Sequence, residues 1–160
     1  MRFEDVLTGY YLLALYFPMV VAAGGNTGAQ SATMVIRAMS LGELDTREFG
    51  RVLWKESRIG VMLGAVLGVC VALQVYFLLP GFLLPESLDL GGLNMVKVAF
   101  VVAVALTIQI FSSTLIGALL PILARMARLD PAVVASPAIT TIVDVSGALI
   151  YFTIAKNLFF

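Results

Sequence analysis

The sequence contains no histidine, a single cysteine and few charged residues. Its 160 residues include ten basic and ten acidic side chains, so the formal net charge is zero. Without histidine, neither a histidine general base nor a histidine metal ligand is available. Because Cys70 is the only cysteine, no disulfide can form within the chain. The balanced charge gives no indication of a nucleic-acid partner.

Apolar residues dominate the composition. They make up 61% of the sequence, and the mean hydropathy is +1.02. A soluble domain averages about 45–50% apolar residues, so lipid must cover much of this surface. A membrane-spanning helix needs about 20 apolar residues, and four such helices with their connections use the whole chain. The sequence therefore predicts an all-α membrane protein, a bundle of four transmembrane helices forming one pore domain over residues 1–160.

The pattern of apolar runs and turn residues sets the predicted helix limits. The helices are predicted over residues 7–39, 59–79, 95–124 and 132–155. The first is expected to be broken, because Pro18 removes a helical hydrogen bond and Gly24-Gly25 weakens the local helix. Residues 43–58 are predicted to form an amphipathic cytoplasmic connection, and residues 82–94 a loop. Three glycines in the second helix favour close packing within the chain over a dimer contact: Gly60, Gly64 and Gly68.

Basic residues are concentrated in two of the three connections. Those connections contain Arg37, Arg47, Arg51, Lys55, Arg58, Arg125 and Arg128. The connection between the second and third helices has only Lys97 at its edge, beside Glu86 and Asp89. The positive-inside rule then places the two basic connections in the cytoplasm and both termini outside. We therefore expect a further helix before residue 1, in a longer protein.

Asp144 is the one acidic residue that the predicted limits place deep within a span. It follows the start of its helix by about 13 residues, roughly 20 Å along the axis and beyond the middle of a ~30 Å hydrocarbon core. A carboxylate there costs at least ~2.5–3.5 kcal/mol. Lys97 and Lys156 lie too far along their helices to pair with it. An unpaired intramembrane acid indicates a functional site, the structural alternative being a protonated Asp bonded to a neighbouring helix.

Small and polar residues share the helical face of Asp144. Steps of three or four residues from it reach Ser136, Pro137, Thr140, Thr141, Gly147 and Ala148. Such a stripe is typical of a water-filled path, and equally of a tight seam between helices.

The first helix carries a second run of small and polar residues, from Gly24 to Ser31. One narrow face contains Gly25, Ala29 and Thr33. Irregular backbone at membrane depth is tolerated only where protein or water covers it, and broken helices often present backbone groups to ions. A packing seam is the alternative. Asn26 and Gln30 favour the ion site, because both side chains would be costly in lipid.

Together the two runs resemble the MgtE family of magnesium channels. The first match is Pro18, the segment from Gly24 to Thr33, and Ile36-Arg37-Ala38; the second is Leu129-Asp130-Pro131, Ser136-Pro137, Thr140-Thr141, Asp144 and Gly147. The resemblance covers nearly the whole chain and implies a homodimer with five spans per subunit, its pore lined by the second and fifth. This chain resembles spans two to five, without the first span and the cytoplasmic regulatory domains.

The resemblance also implies a function and its residues. It implies a channel that conducts Mg²⁺ across the bacterial inner membrane, surrounded by lipid, with Asp144 binding the partly hydrated ion and Asp130 near the cytoplasmic mouth. The implied pore-lining residues are Gly25, Asn26, Ala29, Thr33, Ser136, Thr140, Thr141 and Gly147. Many relatives carry Asn at the position of Ala29, so this chain lacks one polar group there. Mn²⁺ and Co²⁺ stay open as further cargo, because oxygen-only sites bind all three ions.

Other functional classes fit less well. A secondary transporter that exchanges Mg²⁺ for Na⁺ or H⁺ could use the same acid. An intramembrane enzyme is disfavoured: an aspartyl protease needs two acids where one chain supplies one, and no histidine could serve a serine protease. A non-conducting assembly subunit would gain nothing from the cost of Asp144.

Overall fold

Four long helices make up the described part of the chain. The structure is a computed structural model that describes residues 3–44, 49–78 and 94–159. Its helices are α1 (Phe3–Ser40), α2 (Phe49–Leu78), α3 (Met95–Met126) and α4 (Pro131–Phe159). Each contains a segment long and apolar enough to cross a membrane. The prediction of an all-α membrane protein with four transmembrane helices is therefore confirmed.

The helices differ from the prediction in two main respects, beside shifts of one to four residues at several ends. The expected break in the first helix is wrong, because α1 continues through Pro18 and Gly24-Gly25. Gly24 packs against Gln109 of α3, whereas Pro18 is exposed; membrane helices tolerate both residue types. The second helix begins at Phe49 and not at residue 59. Basic residues at helical spacing extend the apolar span into one continuous amphipathic helix. Residues 45–48 of the predicted connection and residues 82–93 of the predicted loop lie outside the described residues.

The third helix forms the centre of the bundle. It packs against α1, α2 and α4, and α1 also packs against α4. Half of its membrane span is buried, compared with 24% for α4. The largest fully buried side chains include Leu12, Leu106 and Tyr151. The Tyr151 hydroxyl donates a hydrogen bond to the Leu13 carbonyl at 2.6 Å, which ties the start of α1 to the end of α4.

The glycines of α2 serve packing within the chain, as predicted. A Cβ atom at Gly64 would lie 2.9 Å from the Thr107 carbonyl oxygen, and one at Gly68 3.1 Å from the Ala103 carbonyl oxygen. The Thr107 hydroxyl donates to the Gly64 carbonyl at 3.0 Å. These approaches bring the α2 and α3 backbones together and leave Cys70 exposed on the outer surface of α2.

Candidate functional site

The position of Asp144 depends first on how α4 begins. The Asp130 carboxylate accepts a hydrogen bond from the Ala132 amide at 2.9 Å, and the Asp130 carbonyl accepts from the Val133 and Val134 amides. Asp130 therefore caps the helix, and Pro131 occupies the first helical position, where its missing N–H is not needed. The cap is a structural task of Asp130, and its location at a pore mouth stays a prediction.

Asp144 lies beside the glycine-rich segment of α1. Its side chain is exposed, and a Cβ atom built on Gly25 would lie 4.0 Å from the Asp144 Oδ1 atom. The antiparallel packing of α1 and α4 thus unites two motifs that are far apart in sequence. Among the described residues, no three acidic or cysteine side chains lie close enough together to hold a metal ion.

The α1 motif has two faces with different tasks. The inner face packs on α3: the Thr27 and Ser113 hydroxyls lie 2.8 Å apart, and the Gly28 backbone directly contacts the position where Gly117 would carry a Cβ atom. The outer face exposes Asn26, Ala29, Gln30 and Thr33. The packing seam and the polar surface that the sequence left as alternatives are opposite sides of one helix.

Two connected grooves follow the outer face. The first, of about 590 Å³, is lined by Asn26, Ala29, Gln30, Thr33 and Met34. The second, of about 320 Å³, lies between α1 and α4 and is lined by Ala29, Ala32, Thr33, Ile36, Arg37, Ala132, Ala135 and Ile139. Both are lined by Ala29 and Thr33, so they lie next to each other along α1, and the second extends towards Arg37 and Ala132. Thr140 and Thr141 are exposed on α4 one turn before Asp144.

The exposed threonines have a defined hydrogen-bond polarity. The Thr33 hydroxyl donates to the Ala29 carbonyl at 2.8 Å, and the Thr141 hydroxyl donates to the Pro137 carbonyl at 3.1 Å. A hydroxyl has one proton and two lone pairs. With the proton committed to the helix backbone, each oxygen offers its lone pairs to the surface, so these threonines act there as acceptors.

Two predicted lining positions do not lie on this surface. Gly147 is buried, and a Cβ atom there would lie 2.7 Å from the Gln109 Nε2 atom of α3. The missing side chain makes room for Gln109, and the place of Gly147 along a pore stays a prediction. The Ser136 side chain lies outside the described ones.

Sequence reasoning missed Glu56 as a buried acid. Its side chain is only 7% exposed, and its Oε2 atom accepts a hydrogen bond from the Ser31 hydroxyl at 2.8 Å. Asp144 is therefore not alone in being an acid within the bundle. The missed signal is spacing: Glu56 precedes Gly60 and Gly64 by four and eight residues, which places it on the packed face of α2.

We expect Glu56→Ala to destabilise the bundle by about 1–3 kcal/mol, because the buried bond from the Ser31 hydroxyl to a charged acceptor is lost and only the Thr114 carbonyl, at 3.0 Å, remains to accept it. Glu56→Gln keeps an acceptor oxygen and should lose less. Thermal unfolding in detergent measures both. Glu43→Ala, which removes an exposed acid, is the matched control, and an equal shift for Glu43→Ala and Glu56→Ala would contradict the role of burial.

Comparison with known proteins assigns the family. A family model described as MgtE, a divalent cation transporter, matches residues 17–154. The magnesium transporter MgtE of Thermus thermophilus is 40% identical over 156 residues, which cover 98% of this chain and 31% of that protein. The Bacillus subtilis magnesium transporter MgtE is 35% identical over 153 residues, or 96% of this chain and 31% of the relative.

A third relative matches a similar share of the chain. The magnesium transporter MgtE of Enterococcus faecalis is 30% identical over 155 residues, which cover 97% of this chain and 31% of that protein. The chain thus spans about a third of the length of the curated relatives it matches. With a family match over most of its helical bundle, the chain belongs to the MgtE family of divalent cation transporters.

Proposed function

We propose that this chain forms the ion-conducting part of a Mg²⁺ channel in which Asp144 binds the hydrated ion. The single observation that carries the proposal is the exposure of Asp144 beside Gly25, on a polar surface shared by α1 and α4. An acid at that depth in a membrane helix indicates an ion pathway. The relatives, which are named as magnesium transporters, support Mg²⁺ as the transported ion.

The exposed surface requires a cover other than lipid. Asn26 and Gln30 are exposed on α1. Asn26 follows Gly25, the residue beside Asp144, and both polar side chains line the first groove. Polar side chains at membrane depth face protein or water. A second copy of the chain placed against this surface would enclose a polar path and bring two carboxylates together. Their combined charge would match that of a divalent cation.

The chemistry of the surface suits a hydrated ion. Mg²⁺ gives up water reluctantly and prefers octahedral oxygen at ~2.0–2.1 Å. Its bound waters are hydrogen-bond donors, so the surface must offer acceptors. The Asp144 carboxylate and the lone pairs of Thr33 and Thr141 meet that need. A site fitted to hydrated Mg²⁺ would reject the larger Ca²⁺ by geometry, because Ca²⁺ loses water more readily and takes more ligands.

Electrical recording tests the channel against a carrier. The protein expressed from its complete reading frame is reconstituted in planar bilayers with Mg²⁺ as the permeant cation. Unitary current steps are expected for a channel. Saturable flux that stops when a Na⁺ or H⁺ gradient is removed, without unitary currents, would assign the protein to secondary transport instead.

Cysteine cross-linking tests the proposed dimer. We expect Ala29→Cys, in a Cys70→Ser background, to form disulfide-linked dimers in membranes, because the proposed pore axis passes the outer face of α1. The unchanged protein is the control: its Cys70 is exposed on α2, away from that face. Gel mobility without reductant gives the readout. A dimer band for Cys70 but none for Ala29→Cys would place the interface on α2 and contradict the proposal.

A further inference from the structure

The Gln109 amide occupies the junction of three helices. Its side chain is fully buried, and its Nε2 atom donates a hydrogen bond to the Val143 carbonyl oxygen at 3.0 Å. Only the amide nitrogen can donate to a carbonyl, so this bond fixes the orientation of the amide. The acceptor residue immediately precedes Asp144.

Two glycines shape the space around this amide. Gly24 of α1 is in direct contact with it, since a Cβ atom there would lie 2.8 Å from the Gln109 Cγ atom. Gly147 of α4 meets it from the other side, where a Cβ atom would lie 2.7 Å from Nε2. Gly24 precedes Gly25, the residue beside the Asp144 carboxylate. Gln109 thus contacts α1 at Gly24, one residue before Gly25, and α4 at Val143, one residue before Asp144.

A buried amide fills this space at a higher free-energy cost than an apolar side chain would. Its Oε1 atom is buried and has no hydrogen-bond partner among the described residues. An unsatisfied buried acceptor destabilises a fold, whereas an apolar side chain of similar volume would pack without that loss. Packing alone therefore does not explain a glutamine here. What the amide adds is a directed bond to the backbone of α4, the helix that is least covered by its neighbours.

We propose that Gln109 is a positioning residue, which sets the height and rotation of α4 against α1 and thereby holds the Asp144 carboxylate beside Gly25. The inference rests on the proposed function, and it concerns ion discrimination in particular. A hydrated Mg²⁺ ion and a hydrated Ca²⁺ ion differ in size, so the separation and direction of the carboxylates decide between them. The bond at Val143 acts on that geometry without contact between Gln109 and the ion.

Replacement of the amide by a side chain of similar length tests the inference. We expect Gln109→Met to remain folded and to transport Mg²⁺, while the ratio of Ca²⁺ to Mg²⁺ flux in liposomes rises about three- to tenfold. Gln74→Met is the matched control on α2, and its ratio should equal that of the unchanged protein. A role limited to packing would alter thermal unfolding but leave the flux ratio in place.

A second variant disturbs the amide without removing it. Gly147→Ala pushes a methyl group against the Gln109 amide, and we expect it to raise the Ca²⁺ to Mg²⁺ ratio in the same direction. If both variants keep the original ratio, or if neither folds, the positioning role is wrong. Absence of Mg²⁺ flux from the unchanged protein would instead overturn the proposed function, so the two failures are distinguishable.

Discussion

Replacing Asp144 with asparagine should reduce Mg²⁺ flux by on the order of 100-fold, since hydrogen bonds to a charged group contribute about 1.5–3 kcal/mol each and a dimer would lose them twice. The change keeps the size of the side chain, removes its charge and replaces one acceptor oxygen with an NH2 donor. The stability of the bundle should therefore stay the same or increase, because a helix without a charge at membrane depth inserts into the bilayer more readily.

Flux of Mg²⁺ into liposomes, measured with an entrapped fluorescent indicator, gives the result. Glu43→Gln is the control, since it removes an exposed acid outside the polar surface of α1 and α4. Thermal unfolding of both variants in detergent separates loss of function from loss of fold. If Asp144→Asn carries Mg²⁺ at the rate of the unchanged protein, the carboxylate has no part in conduction and the proposed site is wrong.

Replacing Gly117 with valine should prevent the bundle from assembling. Gly117 of α3 meets the backbone of Gly28 on α1, and any Cβ atom there would overlap the Gly28 carbonyl group. Backbone atoms on both sides leave no flexible side chain that could move away. Overpacking of a well-packed core costs about 1–3 kcal/mol and occasionally more; with backbone on both sides, we expect a value at or above the upper end.

The expected readout is loss of the folded fraction in detergent and of flux in liposomes. Gly50→Ala is the matched control, because a Cβ atom at Gly50 meets no other atom within 4 Å. Gly117→Ala should fall between the two. A Gly117→Val protein that unfolds at the same temperature as Gly50→Ala would show that α1 and α3 do not cross at Gly28.

Composition and spacing were sufficient to predict the four helices. They were not sufficient to predict that two motifs far apart in sequence lie close together. The apolar runs indicated four helices because a span imposes a length that turn residues then delimit. The proximity of Gly25 and Asp144 depends on the antiparallel packing of α1 and α4, which no local pattern encodes. The family resemblance gave that proximity only as an expectation. In the described helices, a Cβ atom at Gly25 would lie 4.0 Å from the Asp144 Oδ1 atom.

The errors have a common physical cause. Pro18 and Gly24-Gly25 suggested a break because their local helix propensity is low, but propensity is a weak prior once neighbouring helices pack against a segment. Spacing puts Gly147 in the polar stripe of α4 but cannot show the room that it leaves for Gln109 of α3. The burial of Glu56 was missed because charged residues are usually exposed. For Gly24, Gly147 and Glu56 the deciding contact lies on another helix, at Gln109 or Ser31.

The length of α1 has a consequence for how the protein sits in its bilayer. Its 38 residues extend roughly 57 Å, against a hydrocarbon thickness of about 30 Å. Several turns must therefore project beyond the acyl chains or be accommodated by tilt. The last turn of α1 carries Arg37, and the adjacent start of α2 carries Arg51 and Lys55. We expect anionic lipid headgroups to attract these three side chains and so to fix how deeply the bundle sits in the bilayer.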